Sequence, residues 1–200
     1  MPLTPSEAFR RYDETPDEEF YSVPRLVTHI DDRAIAAVTQ LYREHFPPGG
    51  TILDLMSSWV SHLPPEVAYS RVVGLGMNEV ELKENPRLDE YVVQDLNAKP
   101  KLPFSDGEFD GVGCCVSIDY LTRPVEVLRE VGRVLKAGSP AIISFSNRCF
   151  PDRRLPTGAN STTRATYTSL RNICGRPATS RTCAASIAAR GGCSPIPSTP

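Results

Sequence analysis

The stretch Thr51–Val60, TILDLMSSWV, constrains the fold of this chain more than any other. An apolar pair, Ile52-Leu53, is followed by one acid, Asp54, then Leu55-Met56 and two serines, Ser57 and Ser58. Pro47-Pro48-Gly49-Gly50 breaks the chain just before it. An apolar run this short, bounded by turn residues, reads as a strand of a parallel sheet covered on both faces. In open α/β sheets the ligand lies outside the carboxyl ends of the strands. Asp54 to Ser58 is therefore the expected ligand edge, and later strands are expected to end beside it.

The rest of residues 51–146 supports that sheet. After Trp59 the chain runs to Pro64-Pro65 with no good helical period, so the first crossover is expected to be short or irregular. A second strand is expected at Arg71–Leu75, followed by a helix capped by Asn78 and closed by Asn85-Pro86. Third, fourth and fifth strands are expected at Tyr91–Gln94, Phe109–Val116 and Ala141–Ser146. The glycines of the fourth allow close approach of a neighbouring backbone or ligand. Between the last two strands, Pro124–Lys136 places Val127, Leu128, Val131, Val134 and Leu135 on one helical face, with Gly138 as a stop. Alternating strands and helices imply a parallel sheet with right-handed crossovers.

Three regions follow: an N-terminal segment with a cap helix (1–48), a core (49–150) and a tail (151–200). The first has a helix starting at Asp31 or Asp32 and an aromatic-basic patch, Phe20 to Arg25; the plainer reading is a helix that only packs on the sheet, and the other is a lid that lays Phe20, Tyr21 and Arg25 over the ligand edge. The tail holds fourteen Ser/Thr, seven Arg and one acid, Asp152, against 15 basic and 23 acidic residues in 1–150. It lacks Val, Phe, Trp, Met, Lys, Glu and Gln, so it is expected to be disordered. So abrupt a change is also what translation of a second reading frame of a GC-rich gene would produce, which the nucleotide sequence tests.

Net charge −2 and 40% apolar residues point to neither nucleic acid nor membrane, and no run of 18 apolar residues exists. The six cysteines form no C-x-x-C pair and have no His at zinc spacing, which implies no metal and a reducing, cytoplasmic setting. The acidic N-terminus lacks the features of a signal or transit peptide.

Ile52–Leu55, Val72–Leu75, Gln94–Leu96 with Leu102–Phe104, and Phe109 to Gly138 occur in the order found in Rossmann-like S-adenosylmethionine-dependent methyltransferases of the type 11 sort, which this sequence resembles. The resemblance implies a three-layer, mostly parallel sandwich lacking its last strands, with the fifth strand's side open to a second copy. It implies S-adenosyl-L-methionine as cofactor and a small-molecule acceptor. Cofactor contacts are implied at Asp54, Met56, Ser57, Ser58, Asn78, Asp95, Leu96 and Ser117, with Asp119 and Tyr120 on the substrate side. His29 is a further candidate base, although it also reads as a packing histidine. Capping or turn formation is the alternative for Asp54 and Asp95.

Two departures stand out. The family's glycine-rich turn reads Met56, Ser58 and Val60, and Gly76 stands where an acid usually takes the ribose hydroxyls, leaving Asn78 or Glu79 as substitutes. A non-catalytic relative serving as a binding or scaffold domain is therefore the second reading. A nucleotide-dependent oxidoreductase is the third and weakest, because the first turn lacks G-x-G-x-x-G.

Overall fold

A computed structural model describes residues 11, 13 and 15–145, together with the backbone of 182–186. Its elements are α1 (Asp17–Phe20), α2 (Asp32–His45), β1 (Thr51–Leu55), β2 (Arg71–Gly76), α3 (Glu79–Glu84), β3 (Glu90–Val93), β4 (Gly111–Cys115), a 3₁₀ turn (Ile118–Tyr120), α4 (Pro124–Val134), β5 (Ala141–Phe145) and β6 (Thr182–Ser186).

Local chemistry sets the helix ends. The Asp31 carboxylate accepts the Ala34 N–H at 2.9 Å and starts α2. The Asn78 carbonyl oxygen accepts the N–H groups of Val80 and Glu81 and starts α3. Pro124 opens α4, where its missing N–H costs nothing.

All sheet pairs are parallel, in the order β3-β2-β1-β4-β5-β6. Alternation along each strand divides the core. Leu53, Leu55, Val73, Leu75 and Ile143 face Val127, Leu128, Val131 and Val134 of α4. Ile52, Val72 and Ile142 face Val38, Tyr42 and Phe46 on the α2 side. This is the expected three-layer Rossmann-like sandwich.

The glycines of β4 serve this packing rather than a ligand. A Cβ at Gly111 would lie 2.6 Å from the Phe46 ring, and one at Gly113 would lie 2.9 Å from the Tyr42 hydroxyl. The stacked rings of Tyr42, in α2, and Phe46, just after it, 4.8 Å apart, therefore rest directly on the strand's backbone.

The β5 side differs from the open edge expected there. Thr182–Ser186 pairs with Ala141–Phe145 along its whole length. The rest of the tail expected to be disordered lies outside the described residues. Among the described residues no helix is long and apolar enough to cross a membrane.

Candidate functional site

The strand order reverses between β1 and β4: from β1 the chain steps to β2 and β3 on one side, then returns to β4 on the other. Such a switch point leaves a crevice at the carboxyl ends of the strands. A cavity of about 150 Å³ opens there. Its wall includes Asp54, Met56, Ser57, Ser58, Asn78, Asp95, Leu96, Ser117 and Tyr120. All eight positions where the resemblance places cofactor contacts thus reach one cavity, with Tyr120 beside them. Asp119 does not: it is half-buried and lies outside the wall.

The backbone is strained at this rim. Met56 has φ +56° and Val116 has φ +47°, each immediately after one of the two central strands. A left-handed conformation is unusual for such residues and costs on the order of 1–3 kcal/mol. Met56 turns the chain sideways, so that the Ser57 N–H donates to the Leu75 carbonyl at 2.8 Å. The loop after β1 therefore crosses the end of β2, and no helix forms between these strands.

Asp54 holds the loop in place. It is 7% exposed and accepts hydrogen bonds from the hydroxyls of Ser57, at 2.6 Å, and Ser61. Burial raises its pKa above the ordinary 3.8, opposed by the two serine bonds. Asn85 completes the arrangement by donating to the Ser58 carbonyl at 2.8 Å and to the Ser61 hydroxyl at 3.0 Å. The first contacts of Asp54 are thus with its own loop. At the end of β3, the Asp95 carboxylate accepts the Asn97 N–H at 2.7 Å, and Leu96 is buried beneath it.

Residues 17–30 form a strap over the cavity. The Asn78 amide donates to the Tyr21 carbonyl at 2.8 Å. The Arg25 N–H donates to Glu81 at 2.7 Å, and the Trp59 indole donates to the Val27 carbonyl at 3.1 Å. The Asn97 amide donates to buried Asp17 at 2.7 Å and to the Tyr120 carbonyl at 3.0 Å. Tyr21 and Arg25 line the cavity, whereas Phe20 lies under the Arg25 guanidinium, 4.4 Å from ring centre to Cζ.

Three cavity residues bear on proton chemistry. His29 and His62 both have lowered pKa values, chiefly from burial, which favours the neutral imidazole at pH 7. Glu81 opposes that effect at His29, whereas Arg25 adds to it. The Cys115 thiol is pushed up to about 12 by burial, so it is not a thiolate nucleophile. Among the described residues no group of three or more His, Cys, Asp or Glu is placed to hold a metal ion.

Glu81 and His62 carried no recognisable signal in the sequence. Glu81 stands three residues after an N-cap, the spacing of a capping box, which directs a carboxylate to its own helix. Here it turns instead to Arg25 and to the Ser58 hydroxyl, which donates at 2.6 Å. His62 lies in a crossover without period or motif.

Residues 57–143 match the family described as "Methyltransferase domain". The match covers 87 of the 200 residues, and the sheet around it has the Rossmann-like methyltransferase fold. A proposed methyltransferase from Bacillus halodurans shares 18% identity at TM-score 0.54, covering 70% of this chain and 68% of that one. The [4+2]-cyclase SpnF shares 19% at TM-score 0.52, covering 68% and 56%. A chain in the complex between the Haloferax volcanii Trm112 methyltransferase activator and a proposed methyltransferase shares 23% at TM-score 0.47, covering 54% of this chain. The present chain spans only 50% of that one. No curated protein matches in sequence.

Proposed function

We propose that the cavity binds S-adenosyl-L-methionine and that the protein transfers its methyl group to a small-molecule acceptor. One observation carries this reading: Asp54, Met56, Ser57, Ser58, Asp95, Leu96 and Ser117 meet on one wall at the switch point. Asp95 and Leu96 hold the adenine end, and Met56 to Ser58 with Ser117 hold the methionine end. The residues fit the cofactor at both ends. Asp54 acts as a positioning residue, since its carboxylate fixes the loop through Ser57 and Ser61. The cofactor-binding core lies within residues 49–150, and residues 17–30 of the N-terminal segment supply its cover.

When bound, the cofactor supplies an electrophilic methyl carbon. The chain's own part is to orient the reactants and exclude water, because alignment converts a bimolecular displacement into an effectively unimolecular one. The acceptor lies beside Tyr120 and the strap. If it must lose a proton, the neutral imidazoles of His29 and His62 are placed to accept one.

The second reading, a binding domain without transferase activity, is favoured by the crossing of β2 by the Ser57 carbonyl. The likeness to a cyclase adds that one fold can host different reactions. Calorimetric titration of the full chain with S-adenosylhomocysteine tests the cofactor reading. Micromolar binding is expected, weakened about tenfold by Asp95→Ala, the effect of one lost hydrogen bond. A folded chain that takes up no ligand would sink the proposal. Transfer of a labelled methyl group to small acceptors separates the enzyme from the binding domain.

A further inference from the structure

The structure closes the usual place for a ribose-binding carboxylate. A Cβ at Gly76 would stand 2.2 Å from the Ser57 carbonyl oxygen and 3.2 Å from its carbonyl carbon. The obstacle is backbone, fixed by the Ser57–Leu75 hydrogen bond, so no acidic side chain fits there without displacing the loop. The glycine-poor turn and the missing acid are therefore a single structural change.

The two nearby substitutes are already committed. The Asn78 carbonyl oxygen caps α3, and its amide holds the Tyr21 carbonyl. Glu79 is exposed, paired with Lys83 at 2.9 Å and accepting the Tyr91 hydroxyl at 3.2 Å, and it is not on the cavity wall. Glu81 is on that wall. One of its oxygens accepts the Arg25 N–H and the other accepts the Ser58 hydroxyl. A carboxylate offers about four lone-pair sites, so two such bonds leave about two more. Two acceptor sites from one carboxylate are what a vicinal diol requires.

We infer that Glu81, one turn into α3, takes the two ribose hydroxyls of an adenosyl ligand, replacing an acid at the end of β2. This rests on the cofactor reading above. The same carboxylate ties the loop after β1 to the strap through Ser58 and Arg25. Ribose recognition and cavity cover therefore meet in one side chain.

The test compares two ligands on two proteins by calorimetry: S-adenosylhomocysteine and its 2′,3′-dideoxy analogue, each against the full wild-type chain and Glu81→Gln. Wild type is expected to bind the analogue about 10- to 100-fold more weakly, the usual weight of hydrogen bonds to a charged group. Glu81→Gln should lose most of that discrimination, weakening S-adenosylhomocysteine and leaving the analogue nearly unchanged. Equal weakening of both ligands would make Glu81 a latch for the strap only and overturn the inference. So would full discrimination retained by Glu81→Gln, or no discrimination by wild type. If folded wild type binds neither ligand, the cofactor reading falls, and this inference falls with it.

Discussion

Gly76→Ala adds one methyl group at the point where the loop after β1 crosses β2. The added carbon would lie 2.2 Å from the Ser57 carbonyl oxygen and 3.2 Å from Leu82 Cδ2. Leu82 can rotate, but the carbonyl can retreat only if its peptide moves, and that peptide neighbours the 2.8 Å bond from Ser57 N–H to Leu75. Overpacking of this kind costs about 1–3 kcal/mol. Loss of the buried backbone bond adds about 0.5–1.5 kcal/mol. The total, about 2–4 kcal/mol, is a large part of the 5–15 kcal/mol typical of a domain. With a urea slope of about 2 kcal/mol/M, the midpoint should fall by roughly 1–2 M. The single tryptophan, Trp59, lies two residues beyond the crossing and reports the transition by fluorescence. Gly132→Ala is the internal control. It places the same methyl group inside α4, where nothing lies within 4 Å, and should stabilise by about 0.5–1 kcal/mol. If Gly76→Ala stayed within about 0.5 kcal/mol of wild type, the backbone crossing described here would be wrong.

Two further expectations concern the loop and the strap. Burial raises the Asp54 pKa above 3.8, so its contribution is fully present below that unfolded value and is lost as pH rises through the folded one. Wild type should therefore lose stability relative to Asp54→Asn as pH rises above the unfolded value of 3.8, and a difference between their urea midpoints that did not change with pH would contradict this. Trp59→Phe removes the donor to the Val27 carbonyl, an exposed bond of about 1 kcal/mol or less. Hydrogen exchange should quicken in residues 21–28 and not in β1 or β4; equal acceleration everywhere would argue against a separately held strap.

What could be read in the sequence was what local chemistry decides. Asp31, Asn78 and Pro124 start helices where their side chains dictate, and the apolar runs give five parallel strands. The residues after β1, β3 and β4 meet at one cavity because parallel strands bring their carboxyl ends to one edge. What could not be read depends on which way a side chain turns. Ile118–Tyr120 forms a 3₁₀ turn, whose successive side chains diverge by about a third of a revolution, so Tyr120 reaches the cavity and Asp119 does not. Glu81 has the spacing of a local cap yet serves a partner 56 residues earlier. The β4 glycines gave no sign that the rings of Tyr42 and Phe46 would fill the space above them. The strand Thr182–Ser186 has the sequence TCAAS, with no apolar-polar alternation to announce it.

The strap also has a consequence for synthesis. Its anchors lie far along the chain: Trp59 is 32 residues from Val27, Asn78 is 57 from Tyr21 and Asn97 is 80 from Asp17. A ribosome adding 5–20 residues per second leaves Asp17 without Asn97 for about 4–16 s. During that interval residues 17–30 have no sheet to rest on, and Val23, Leu26 and Val27 remain largely exposed even after docking. A segment made well before its anchors is thus among the last to find its place. Once folded, residues 17–30 are tied down by hydrogen bonds to Trp59, Asn78, Glu81 and Asn97 rather than by strand pairing, so local opening there does not require the sheet to unfold.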